Sequence, residues 1–328
     1  MTQLDTALSR DAGVAVPLIA GAMYPCSNPE LVAAVSAGGG IGIVQPLSMI
    51  YVHRHDLRDG FRLIRRLTDK PIGMNVLIEQ SSQLYLDRMK RWVDVALEEG
   101  VRFFITSLGK PRWVVERVRH VAGLVYHDVT ERKWALKGLE AGVGGLIAVN
   151  NRAGGHAGPR SAERLVEELG DLGVPLVCAG GIGDAAGFVA ALRLGYAGAQ
   201  LGTRFIATPE CTAHPEYKRA IVQADEEDIV LTERVTGVPL AVIRTPYVER
   251  VGTRAGPVAR WLLRGRRTKH FMRTLYALNS AWRLKRSLFD GASSKDYWQA
   301  GKSVAGITSI EPAGAIVRRF AAAALTST

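Results

Sequence analysis

One histidine in the chain has very little around it to crowd it. The stretch Asn150-Asn151-Arg152-Ala153-Gly154-Gly155-His156-Ala157-Gly158 follows the apolar run Gly145-Leu146-Ile147-Ala148-Val149. Small residues on both sides let a ligand approach the backbone and leave the imidazole accessible. With an ordinary pKa near ~6.5, that imidazole can take or give a proton around neutral pH. His156 is therefore the first catalytic candidate, weighed against an ordinary loop histidine. His127, at the end of another apolar run, is the second, with a packing role as its alternative. His53, His55, His120, His214 and His270 read as surface or packing residues. Arg152 could pair with an anionic substrate or face solvent. Cys178 reads as a small buried apolar residue, and Asp184 as a helix cap.

Two glycine turns suggest a second chemistry. Ala179-Gly180-Gly181-Ile182-Gly183-Asp184 directly follows Leu176-Val177-Cys178, and Gln200-Leu201-Gly202-Thr203-Arg204 closes the next apolar run. Glycine lets backbone N–H groups point at phosphate oxygens, and a helix N-terminus adds a favourable dipole. Gly180, Gly181, Gly202 and the Thr203 hydroxyl are thus a candidate phosphate cradle, against the alternative that glycine only permits tight turns. The first turn is not a dinucleotide fingerprint. Its glycine pattern is incomplete, and Thr203 and Arg204 stand where an acidic residue is required.

The elements that must carry these loops alternate along the chain. Apolar runs occupy 17–20, 41–44, 72–76, 102–106, 123–126, 145–149, 175–179 and 199–201. Helical patterns lie between them at 29–37, 57–67, 84–98, 112–118, 131–141, 161–169 and 185–194. Near-continuous Val, Ile and Leu runs are the composition of parallel strands covered on their outer side. Eight of them alternating with helices predict an α/β fold, a (β/α)8 TIM barrel, with a doubly wound sheet as the rival. Both loops would then stand at the carboxyl end of the barrel. The rhythm stops after Phe205. The division is 1–208 as barrel, 209–300 as a mostly helical lid, and 301–328 as a segment packing back on the barrel through a helix at 310–324.

Composition narrows the partners. The chain has 328 residues, 47% hydrophobic and 22% charged, with a formal net charge of +11. Those proportions are ordinary for a globular protein. Within the lid, Arg254, Arg260, Arg264, Arg266, Arg267, Lys269, Arg273, Arg283, Lys285 and Arg286 form a basic segment. It is either a solvated face or a dock for an acyl carrier or coenzyme A. Trp261, Phe271, Tyr276 and Trp282 fall at helical spacing and read as core, so no nucleic-acid partner is expected. Cys26, Cys178 and Cys211 lack metal-ligand spacing, and the N-terminus lacks a basic region followed by an apolar core. No apolar run is long enough for a membrane span. A cytoplasmic location is expected, and a homodimer is compatible with these features.

Several motifs together resemble the nitronate monooxygenase (2-nitropropane dioxygenase) family. They are Ile19-Ala20-Gly21-Ala22-Met23 with Gly38-Gly39-Gly40-Ile41-Gly42, Gly73-Met74-Asn75-Val76, and Ala153-Gly154-Gly155-His156-Ala157-Gly158. The two glycine turns and Ala300-Gly301-Lys302-Ser303-Val304-Ala305-Gly306 complete the set. The resemblance implies FMN in a barrel with a helical lid. It places Ala22 and Met23 at the flavin ring, and Asn75 and Gly155 in contact with FMN. It puts Gly180, Gly181, Gln200, Gly202 and Thr203 at the phosphate end, and His156 on the substrate side. Asn150-Asn151-Arg152 before the glycines, Asp128 at the end of the fifth strand, and Lys302 depart from the pattern and bear on the substrate. The implied activity is oxidation of alkyl nitronates by O2. The alternatives are an NAD(P)H-dependent reductase of quinones or enoyl thioesters and, from another class, a flavin-binding or carrier-docking protein without turnover.

Overall fold

The computed structural model describes residues 4–79, 83–235, 237–254, 285 and 297–326. Eight parallel strands close into a barrel: β1 (Leu18–Ala20), β2 (Ile41–Val44), β3 (Ile72–Leu77), β4 (Phe103–Ser107), β5 (Leu124–Val129), β6 (Gly145–Val149), β7 (Leu176–Ala179) and β8 (Gly198–Leu201). Each pairs with the next, and β8 returns to β1 through Ile19 opposite Gln200. The doubly wound alternative is thereby excluded. Between the strands run α2 (Pro29–Ala37), α3 (Leu57–Leu67), α4 (Gln83–Glu98), α5 (Arg112–Val118), α6 (Arg132–Glu140), α7 (Ala162–Leu169) and α8 (Ala185–Arg193). Their starts are set by local chemistry. Asp56, Ser161 and Asp184 each accept a hydrogen bond from a first-turn N–H, and Pro29 opens α2.

The strands divide their side chains between two cores. Ile19, Ile43, Phe103, Ile105, Tyr126, Ile147 and Val177 point into the barrel, while the outer faces pack under the helices. The first helix, α1 (Ala7–Ala12), plugs the amino-terminal end. Its Leu8 and Ala12 join the inner core, and the Tyr126 hydroxyl donates to Asp11 at 2.7 Å.

After β8 the chain makes only a single-turn helix, α9 (Thr203–Ile206), too short to cover the last strand. The C-terminal helix α12 (Ala313–Thr326) takes that place, packing against α8 and α2. Phe188 and Phe320 sit with ring centroids 5.7 Å apart. The fully buried Arg204 guanidinium donates to Ala207 O and to Ser309 O at 2.6 Å, anchoring the returning segment.

The described part of 209–254 holds helices α10 (Pro215–Gln223) and α11 (Pro246–Val251). It also holds an antiparallel hairpin, β9 (Ile229–Thr232) with β10 (Leu240–Ile243). The hairpin lies within the segment that the sequence reading assigns to a mostly helical lid. Of the basic segment, only Arg254 and Lys285 fall among the described residues, and Lys285 Nζ donates to Tyr51 O. The other basic residues and the four interleaved aromatics lie outside the described residues.

Candidate active site

The loops after β1, β6, β7 and β8 meet at the carboxyl end of the barrel, together with residues 299–306. The turn after β7 needs its glycines. Gly180 has φ +117° and Gly181 φ +80°, a region side chains avoid. A side chain at Gly180 would also collide with Asn150 Oδ1 and with Ala153 N, and one at Gly181 with Arg152. These glycines therefore let the β6 loop lie directly on the β7 turn. A methyl on Gly202 would touch Met23 Sδ at 3.6 Å, which brings the β1 and β8 loops together. Thr203 Oγ1 accepts from Gly301 N at 3.0 Å, leaving its own proton for another acceptor. Because α9 is one turn long, its dipole offers little, and the backbone of the two turns would carry phosphate binding.

Asn150 organises the histidine loop. It is fully buried. Its Nδ2 donates to Gly180 O at 2.9 Å, and its Oδ1 accepts from Arg152 N at 2.8 Å. Arg152 in turn forms a two-bond ion pair with Glu226 and offers its carbonyl to Lys302 N at 2.9 Å. Gly155 O accepts from Ala241 N of β10 at 2.8 Å. Asn150 and Arg152 thus take part in fixing the loop. Asn151 is exposed. His156 stands exposed at the rim, and the protein around it lowers its pKa, so the imidazole is neutral at neutral pH.

Inside the rim, the inner wall carries the polar side chains of Asn75, Asp128 and Gln200, with Ser107 beside Asp128. Register assigns them there. Asn75 pairs with Ile105, Asp128 with Ile147, and Gln200 with Ile19 and Ala179, all inward residues. Gln200 lies under the β1 loop, its Cγ 2.9 Å from where a Gly21 side chain would start. It stands on the inner wall beside the β1 loop, two residues before the Gly202 turn. Gln200 Oε1 and Asp128 Oδ1 are buried without a hydrogen-bond partner. Burial pushes the Asp128 carboxyl up to about 7.

His127 does not join this site. One residue from Asp128, it points to the outer side, 5% exposed beneath α6. A side chain at Gly138 of that helix would approach its Cδ2 to 3.2 Å. Its Nδ1 pairs with Thr106 Oγ1 at 2.8 Å, and burial pushes its pKa down to about 4. Its role is packing, the alternative given above. Cys178 is buried with its thiol pushed up to about 12, and Asp184 caps α8, both as expected.

A closed barrel of eight parallel strands whose β6, β7 and β8 loops converge at its carboxyl end has the architecture of the TIM-barrel enzymes. The profile of the nitronate monooxygenase family matches residues 5–320, and the chain belongs to that family. It is an oxidoreductase. It is 31% identical over 259 residues to the (3aS,4S,5R,7aS)-5-hydroxy-7a-methyl-1-oxo-octahydro-1H-indene-4-carboxyl-CoA dehydrogenase of Mycobacterium tuberculosis, covering 77% of this chain and 70% of that protein. A probable nitronate monooxygenase of Staphylococcus saprophyticus is 28% identical over 292 residues, with 76% and 81% covered. Among solved structures, FabK from Thermotoga maritima superposes with a TM-score of 0.80 at 27% identity, over 98% of this chain and 96% of that one.

Proposed function

We propose that this chain binds FMN at the carboxyl end of the barrel and uses it to oxidise or reduce a small organic substrate. The observation that carries the reading is the inner wall. The buried Gln200 Oε1 lacks a partner under the β1 loop at Gly21, and the strand that carries it runs into Gly202 and lies beside the Gly180 turn. An acceptor of that kind suits the N–H edge of a heteroaromatic ring, and the adjacent backbone suits its phosphate. Met23, Asn75 and Gln200 would line the ring. Gly180, Gly181, Gly202 and the remaining proton of Thr203 would hold the phosphate, with Gly155 at the rim. When bound, the flavin supplies the redox chemistry; the protein binds, orients and tunes it. His156, neutral and exposed, can accept a proton from or donate a hydrogen bond to a substrate entering at the rim.

Oxidation of an alkyl nitronate by O2 is the first reading, in line with the family. A second reading is reduction of a quinone or an acyl thioester at the expense of NAD(P)H. The Arg152–Glu226 pair favours it, because this arginine is already committed and is not free to receive an anionic substrate. The likeness to a dehydrogenase of a CoA thioester points the same way, and the basic segment 254–286 would dock the carrier. The buried free cysteines fit a cytoplasmic setting. Anaerobic mixing of the FMN-loaded protein with NADH, NADPH or propionate 3-nitronate decides between the readings. Bleaching by the nitronate supports the first, and bleaching by a pyridine nucleotide without nitronate turnover supports the second. No response to any of them overturns catalysis of either kind.

A further inference from the structure

The inner wall holds a carboxyl group that neither reading uses. Asp128 is the penultimate residue of β5, two residues beyond the inward Tyr126 and in register with the inward Ile147. Its Oδ1 is buried and has no hydrogen-bond partner. A carboxylate in such a position would leave an unpaired charge in a low-dielectric site, which is strongly disfavoured unless a cation or several donors compensate it.

No described group does so. On the inner wall, the neighbouring upper positions belong to Ser107 of β4 and Val149 of β6, and the trio's other members are the neutral Asn75 and Gln200. Tyr126, below, is turned toward Asp11 at the opposite end of the barrel. His127 faces outward. The helices behind the sheet spend their charges elsewhere: Arg117 of α5 pairs with Asp94, Arg132 of α6 with Asp171, and Lys133 of α6 with Glu131. His156, at the rim, is neutral above its lowered pKa.

We propose that Asp128 is a cofactor-contacting residue that makes FMN binding proton-linked: the neutral acid would donate a hydrogen bond to bound FMN, and the carboxylate would oppose binding. The inference rests on the FMN reading above. A neutral carboxylic acid has one O–H to donate, whereas the ionised form only accepts. Covering the carboxylate with a planar ring would also strip its remaining water. The free protein, in which burial holds the group near 7, therefore ionises over a range in which the FMN complex stays protonated. Where only the neutral form binds, affinity falls about tenfold for each pH unit above that value.

The test compares FMN affinity, read as quenching of flavin fluorescence, in the wild-type chain and Asp128→Asn between pH 6 and 9. The amide keeps the shape and a donor but does not titrate. It also leaves any titration of FMN itself in place as an internal control. The expected result is a wild-type dissociation constant that rises at least tenfold between pH 7 and 9, beside an Asp128→Asn constant that stays within about threefold over that range. Parallel profiles in the two proteins overturn the role of Asp128 and leave the FMN site standing. Absence of FMN binding by the wild type at every pH overturns the FMN reading itself. Urea unfolding of the apoproteins at pH 6 establishes that the variant is folded. If it is not, Asp128→Ser replaces it, with the same expectation of a flat profile.

Discussion

Replacing Asn150 by Ala tests how the histidine loop is built. The side chain is wholly buried and closes two hydrogen bonds to backbone, 2.9 Å to Gly180 O and 2.8 Å from Arg152 N. Truncation leaves both backbone groups without these partners. Each buried polar group left unsatisfied costs about 1–3 kcal/mol, so the pair predicts a loss of roughly 2–6 kcal/mol. That is a large share of the ~5–15 kcal/mol typical of a folded domain. The neighbouring Asn151 is exposed. Asn151→Ala is a control of matched chemistry and is expected to change stability by no more than ~0.5 kcal/mol. Urea unfolding of both variants, read by intrinsic fluorescence, gives the two numbers. Because Asn150 ties the β6 loop to the β7 turn, Asn150→Ala should also weaken FMN binding, while Asn151→Ala should not. A loss below ~0.5 kcal/mol for Asn150→Ala, or equal losses for the two variants, would refute the claim that Asn150 holds the loop.

Other consequences follow from the same geometry. Arg152→Ala removes a partly exposed ion pair with Glu226. It should cost under ~1 kcal/mol of stability and leave the KM for an anionic substrate within about threefold; a tenfold rise in KM at unchanged kcat would show that Arg152 contacts substrate. Gly183→Ala would drive its new methyl into Ser303 O of the returning C-terminal segment. A loss of about 1–3 kcal/mol in urea unfolding is expected, and an unchanged midpoint would mean the contact can be relieved freely. His127 titrates near 4 when folded, below the ~6.5 of an unfolded chain. The unfolded chain therefore binds the extra proton between these values, and stability falls as pH drops from about 6.5 to about 4, by up to ~3 kcal/mol. His127→Asn should lose this acid sensitivity; an identical acid profile in the variant would contradict the assignment.

The barrel was legible because each of its strands is covered on both faces. That covering produces the uninterrupted runs, such as Ile41–Val44 and Gly145–Val149, that mark parallel strands. The same covering hides which way a side chain points. In Leu-Val-Tyr-His-Asp-Val nothing alternates, so His127 and Asp128 could not be assigned to opposite faces until register placed Asp128 beside Ile147. The strand β9, Ile229–Thr232, is a β-branched run whose partner β10 lies across a turn, in a stretch whose sequence reads as helical. The roles of Asn150 and Arg152 were out of reach for another reason. Their partners, Gly180 and Glu226, are distant in sequence and meet them only once the barrel closes. His156 and the glycine turns are legible as loops after successive strands because their spacing is local.

The central claim is that this barrel end is an FMN site belonging to an oxidoreductase. Its most direct test is titration of the purified chain with FMN at pH 6.5, followed by anaerobic addition of NADH, NADPH or propionate 3-nitronate. The account predicts saturation at one FMN per chain and bleaching of the bound flavin by at least one of the three compounds. A chain that binds no FMN, or whose bound FMN none of them reduces, would contradict it.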